Sequence, residues 1–164
     1  MSAARLRIPL ASAEATTRLG ALLAPYLVPG DTLLLSGPIG AGKTHLARAL
    51  IQARLAAEGL AEDVPSPTFT LVQTYVAGDV EIWHADLYRL SDPAEIAELG
   101  LEDAFETAIC LVEWPDRLGP DAPAGALTID LAATSDGLSR TADLHGPERW
   151  APILAAISGE RALA

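Results

Sequence analysis

The sequence predicts an α/β fold, with a central sheet that is parallel in its middle, antiparallel at its edges and flanked by helices. Three observations predict it. A short apolar run, Thr32 to Ser36, enters a glycine-rich loop that opens an amphipathic helix. A second apolar run, Ile109 to Val112, reads as a strand buried on both faces. Strand-like pairs stand to either side, Phe69 to Tyr75 with Val80 to His84, and Ala126 to Leu131 with Ser139 to Leu144.

Taken in order, Arg5 to Leu10 alternates polar and apolar residues, as an edge strand does. Ser12 is placed to cap a helix from about Ala13 to Leu27, with Glu14 favourable in its first turn. Leu19, Leu22, Leu23 and Tyr26 supply that helix with an apolar stripe. Pro29-Gly30-Asp31 is a turn. The helix after the glycine loop runs from Lys43 to about Ala57, with Leu46, Ala49, Leu50 and Ala53 inward and Gly59 to close it. Ala77-Gly78-Asp79 joins the first strand pair. Asp92-Pro93 opens another helix through a side-chain cap and a proline at its first position. Pro147 opens a C-terminal helix.

A chain of 164 residues fits one domain, residues 1–164, and buries about 70% of its unfolded surface. Its one cysteine allows no internal disulfide, which fits a cytoplasmic setting. No apolar run is long enough for a membrane span, and no signal-peptide core follows Met1. The net charge of −11 argues against a protein that grips nucleic acid by itself, because tight binders neutralise several phosphates with a basic patch. Of the 11 basic residues, all but Lys43 are arginine. The one lysine stands in the glycine loop, where a compact point charge fits between phosphates better than a planar guanidinium.

The loop reads Gly37-Pro38-Ile39-Gly40-Ala41-Gly42-Lys43-Thr44, a G-x-x-x-x-G-K-T string between a strand and a helix. Glycines let successive backbone N–H groups turn toward an anion, and the helix N-terminus adds partial positive charge. Lys43 is expected to reach the outer phosphates of a nucleotide and Thr44 to ligate Mg²⁺. The expected architecture is therefore a P-loop NTPase-type sheet holding Mg-ATP or Mg-ADP. Such a site needs an acid at the end of a neighbouring strand. Glu113 ends one apolar run and is the favoured Mg²⁺-linked acid; Asp86 ends another and is a candidate for a catalytic or switch role, or for a turn cap. Ser66-Pro67-Thr68 is either a segment that senses the γ-phosphate or a proline turn entering a strand. Trp114 is read as a nucleotide or partner contact, or as packing. His84 has no second His or Cys at ligand spacing, and Cys110 sits mid-strand, where burial is expected.

The chain contains no asparagine, so the guanine-reading N-K-x-D motif is absent and adenine is favoured. The stretch from Asp86 to Glu113 holds one arginine, Arg89, which weakens a small-molecule kinase reading that would call for an Arg-rich lid.

Together, GPIGAGKT, SPTFTLVQTY, HADLYRL with the following SDP and ICLVEWPDRL resemble the TsaE family (also called YjeE), bacterial ATPases of threonylcarbamoyladenosine synthesis on tRNA. The resemblance runs from about Ile8 to Leu118. It implies that Lys43 and Thr44 serve phosphate and Mg²⁺, that Glu113 is a second Mg²⁺-linked acid, and that Asp86 is an acid needed for activity and a metal candidate. It also implies that Ser66, Pro67 and Thr68 form a switch, that His45 offers its backbone N–H to phosphate, and that Trp114 and Arg140 lie by the nucleotide. The implied partners are TsaD and TsaB, with tRNA reached only through that complex. The chain departs from the family's pattern at His45, where relatives carry a small hydroxyl residue, and in the tail from Gly119. A small-molecule kinase and a nucleotide-gated binding module are the alternatives.

Overall fold

The computed structural model describes residues 3–60, 64, 71–90, 92–135 and 139–159. The expected switch residues Ser66, Pro67 and Thr68 lie outside them, as do Phe69 and Thr70 at the start of one expected strand. Among the described residues, strands β1 (Ala3–Leu10), β2 (Thr32–Ser36), β3 (Val72–Ala77), β4 (Val80–Asp86), β5 (Ile109–Glu113), β6 (Leu127–Ala133) and β7 (Arg140–Pro147) form one sheet. Its order is β1-β7-β6-β2-β5-β4-β3. The central pairs β6–β2, β2–β5 and β5–β4 are parallel. The outer pairs β1–β7, β7–β6 and β4–β3 are antiparallel. This is the sheet the sequence predicts, and β2 and β5 occupy its middle because both read as uninterrupted apolar runs.

Helices α1 (Ala13–Leu23), α2 (Lys43–Ala57) and α5 (Ala151–Ser158) cover one face. There Leu19, Leu23, Leu46, Leu50 and Ile51 meet Leu33, Leu35, Ile82 and Leu111 in the main core. Each such fully buried side chain contributes about 1.5–3 kcal/mol. Helices α3 (Pro93–Glu98) and α4 (Leu101–Thr107) belong to the other face, where Ile96, Leu101 and Leu118 pack with Leu34, Ala85 and Val112.

Local chemistry sets the element ends. The Ser12 hydroxyl accepts from the Ala15 amide at 3.2 Å, and Asp92 does the same for Ala94 at 3.0 Å. Helix α2 is closed just past its end by Gly59, with φ +71°, where the Leu60 and Gly59 amides reach back to Leu55 and Ala56. Several element ends move. The first helix stops at Leu23, because Pro25 forces a 3-10 turn, and Tyr26 is exposed rather than part of its stripe. Strand β3 runs Val72–Ala77, and β4 extends two residues past His84 to include Asp86. Pro147 ends β7, and the last helix starts at Ala151 after a 3-10 turn, with Pro152 in its first turn. The helix after Asp92 is two short ones, parted at Gly100, whose φ is +79°.

Candidate functional site

The site lies at the carboxyl ends of the parallel strands, the usual ligand side of an open α/β sheet. Strand β2 delivers the glycine loop there. Gly37 has φ +137° and Gly42 has φ +103°, a region that side-chain-bearing residues rarely adopt. A Cβ on Gly37 would stand 2.3 Å from the Leu131 carbonyl oxygen, so β6 presses directly on the loop. Gly42 is the last residue before α2, which leaves the first-turn amides of that helix open to an anion.

Strands β5 and β4 bring the acids. Asp86 and Glu113 are directly paired across these strands, and Leu35 pairs with Glu113 on the other side. Glu113 is 2% exposed. The Thr44 hydroxyl, in the first turn of α2, donates to its carboxylate at 2.8 and 3.0 Å to the two oxygens. His84 Nε2 lies 2.7 Å from the same carboxylate. Asp86 is half-buried, and its Oδ1 accepts from the Tyr88 amide at 3.1 Å. Asp86 thus is the turn cap and a cleft-facing acid at once. Burial pushes its carboxyl above the ordinary value and the nearby Glu113 charge adds to this, while the Tyr88 amide pulls the other way.

Lys43 is buried at 5% exposure. Its ammonium donates to the carbonyls of Gly37 at 2.6 Å and Pro38 at 3.0 Å and sits 4.1 Å from the Trp114 ring centroid. Burial lowers its pKa, and the charges of Glu113 and Asp86 oppose that shift. Trp114 is the one side-chain-bearing residue with positive φ among the described residues, at φ 60° and ψ 54°. Such a conformation costs about 1–2 kcal/mol for an L-residue. It folds the indole back over Lys43 and against Tyr88, 4.9 Å between ring centroids.

These groups surround a cleft of about 400 Å³. Of the expected residues, Ile39, Gly40, Gly42, Lys43, Thr44, His45, Asp86, Glu113 and Trp114 line it. Gly37, Pro38 and Ala41 build the loop without lining the cleft, and Ala41 is buried at 2% exposure. The His45 ring is exposed and lies 2.7 Å from the Thr17 hydroxyl of α1. Arg140 does not line the cleft either; from β7 it donates to the Gly40 carbonyl at 3.0 Å and so fastens the loop. Tyr88 lines the cleft and was not singled out, although it belongs to the HADLYRL string. The contact of His84 with Glu113 was also missed. Its signal is the two-residue period of β4, which places His84 and Asp86 on one strand face. The arrangement can receive an anion at a helix N-terminus and offers a hard cation three oxygen-bearing side chains.

A family described as threonylcarbamoyl adenosine biosynthesis protein TsaE matches residues 10–142, past Leu118 and into β7. A tRNA threonylcarbamoyladenosine biosynthesis protein TsaE of Rickettsia conorii is 46% identical over 107 residues, 65% of this chain. The chain spans only 59% of that relative's length and 58% of its counterpart in Rickettsia felis. The protein of the same name from Nostoc sp. is 38% identical over 145 residues, 84% of each chain. The crystal structure of YdiB from Bacillus subtilis superposes with a TM-score of 0.76 at 25% identity, covering 96% of this chain and 95% of that one. The family match over most of the chain, and relatives of this identity across it, establish that the chain belongs to the TsaE family of threonylcarbamoyl adenosine biosynthesis proteins.

Proposed function

We propose that this chain is a Mg²⁺-dependent ATP-binding and ATP-hydrolysing accessory protein of threonylcarbamoyladenosine modification of tRNA, at the adenosine next to the anticodon. It works in the cytoplasm with the TsaD–TsaB complex and meets tRNA only through it. The observation that carries this reading is the convergence, in one cleft, of an open helix N-terminus, the chain's single lysine, the Thr44 hydroxyl and two strand-end carboxylates.

Lys43 leaves its loop carbonyls to hold the outer phosphates, while the amides after Gly42 receive their oxygens. Thr44, Glu113 and Asp86 present hard oxygen donors in small number, which suits Mg²⁺, an ion that takes few protein ligands and keeps waters and phosphates. When bound, that ion neutralises charge developing on the phosphates. Asp86, the more exposed acid, is positioned to orient an attacking water, and Trp114 with Tyr88 shields the cleft. Net charge −11 supports a protein that leaves tRNA binding to its partners.

An ATPase assay without added substrate, run with and without purified TsaD and TsaB, tests the reading. Strong stimulation by the pair supports it. Phosphate transfer to a metabolite would replace it with a kinase, and nucleotide-dependent association that survives loss of Glu113 would replace it with a binding module.

A further inference from the structure

His84 has no role in the site as assigned so far. It stands on β4 two residues before Asp86, with a side chain 0% exposed and Nε2 2.7 Å from Glu113 Oε2. Its Nδ1 is buried and has no hydrogen-bond partner among the described residues. An ionised carboxylate can only accept, so the short contact requires the proton on Nε2. The opposite tautomer would set the Nε2 lone pair against a carboxylate oxygen and bury the Nδ1 proton unmet. With the proton on Nε2, only an acceptor lone pair is left unmatched, which is the cheaper orphan.

The next link is Thr44. Its hydroxyl has one proton and two lone pairs, and the proton goes to Glu113 at 2.8 and 3.0 Å. That direction turns the lone pairs toward the cleft. It holds only while Glu113 keeps its rotamer, and in this buried setting His84 is the second side chain on that carboxylate, meeting Oε2, the oxygen 3.0 Å from the Thr44 hydroxyl.

We propose that His84 is a positioning residue of the cation site: its Nε2–H fixes the Glu113 carboxylate, which in turn aims the Thr44 hydroxyl oxygen into the cleft. This rests on the Mg-nucleotide reading above. It acts as outer donors act around bound metals, by orienting groups that touch the ion.

Two variants and one spectrum test it. His84→Gln keeps an N–H near the Nε2 position, whereas His84→Leu keeps bulk and removes the donor. ADP binding is measured by calorimetry with Mg²⁺ and in EDTA. His84→Leu is expected to lose about 10- to 100-fold in Mg²⁺-dependent affinity with EDTA binding changed by less than about 2-fold, and His84→Gln to recover most of the loss. Long-range ¹H–¹⁵N spectra of the ligand-free protein are expected to show a proton on His84 Nε2 and none on Nδ1. A proton on Nδ1, equal losses with and without Mg²⁺, or equal defects in both variants overturns the proposal. If His84→Leu does not fold, the Gln variant and the spectrum decide. Wild-type protein that binds ADP no better with Mg²⁺ overturns the site reading and this proposal together; normal Mg²⁺ dependence in both wild type and His84→Leu overturns this proposal alone.

Discussion

At the residue scale, Lys43 and Asp86 are both held in states that a ligand would relieve. The Lys43 ammonium is buried against two loop carbonyls and an indole face, with its pKa lowered by that burial. A phosphate offers it stronger, charge-assisted partners. Lys43→Ala is expected to cost about 1.5–3 kcal/mol in ADP binding, roughly 10- to 150-fold in calorimetry. Asp86 shows the same tension with opposite charge. Its folded pKa lies above the ordinary value, so the protonated form favours the folded chain. That stabilising effect is complete below the unfolded pKa and is lost as pH rises through the folded one. At neutral pH the ionised group therefore strains the ligand-free protein. Asp86→Asn is expected to raise the Tm of the ligand-free protein at pH 7 by about 1–4 °C in calorimetric scans. The gain should shrink as pH is lowered into the carboxylate range, while Mg²⁺-dependent ADP binding is lost. Cys110 behaves differently: burial pushes its thiol up to about 12. It is expected to stay unreacted with a disulfide reagent at pH 8 until the chain is unfolded. Lys43, Thr44 and Glu113 were legible because their spacing is the chemistry. Tyr88 and His84 were not, since a tyrosine or histidine in a strand or turn carries no signature until its neighbours across the sheet are known.

At the element scale, the position of α2 depends on how closely α1 can approach it. A Cβ on Gly20 would lie 3.0 Å from both Ala49 Cβ and the Leu50 amide nitrogen and 3.1 Å from the Leu46 carbonyl oxygen. Gly20 is therefore a contact surface rather than a flexible point. Gly20→Val forces the helices apart, an overpacking cost of about 1–3 kcal/mol, read as a Tm lower by roughly 2–12 °C. Strand and helix centres were legible from period and apolarity, as with Thr32–Ser36 and Lys43–Ala57. Ends were less so. Pro25 and Pro152 each set a boundary, yet proline is tolerated at a helix start and forbidden inside, and a single sequence does not say which side of the boundary it marks.

At the scale of the whole molecule, layering sets the apolar core apart from a charged outer face. The main core lies under α1, α2 and α5, while the opposite face of β1, β7 and β6 carries Arg5 on Asp143 and His145 on Asp130. Arg5 is already met there by Asp143, and the total charge is −11. The purified protein is expected to leave tRNA unshifted in a gel at physiological salt; a stable shift without partners would contradict the proposal that tRNA is met only through the complex. Sheet order was legible only in outline. Parallel centre and antiparallel edges follow from apolar runs and turns, but the pairing of the first strand with the last is a contact between distant segments, and no local pattern announces it.

That pairing has a cost in time. Leu10 meets Arg140 and Ala3 meets Pro147, so β1 finds its one strand neighbour, among the described residues, only after nearly the whole chain exists. At ordinary elongation rates the ribosome leaves it waiting for roughly 7–30 s. Through that interval a strand with an apolar side and an open edge is exposed to other nascent chains. Sheet order thus sets a time during synthesis in which that edge depends on being shielded from its surroundings.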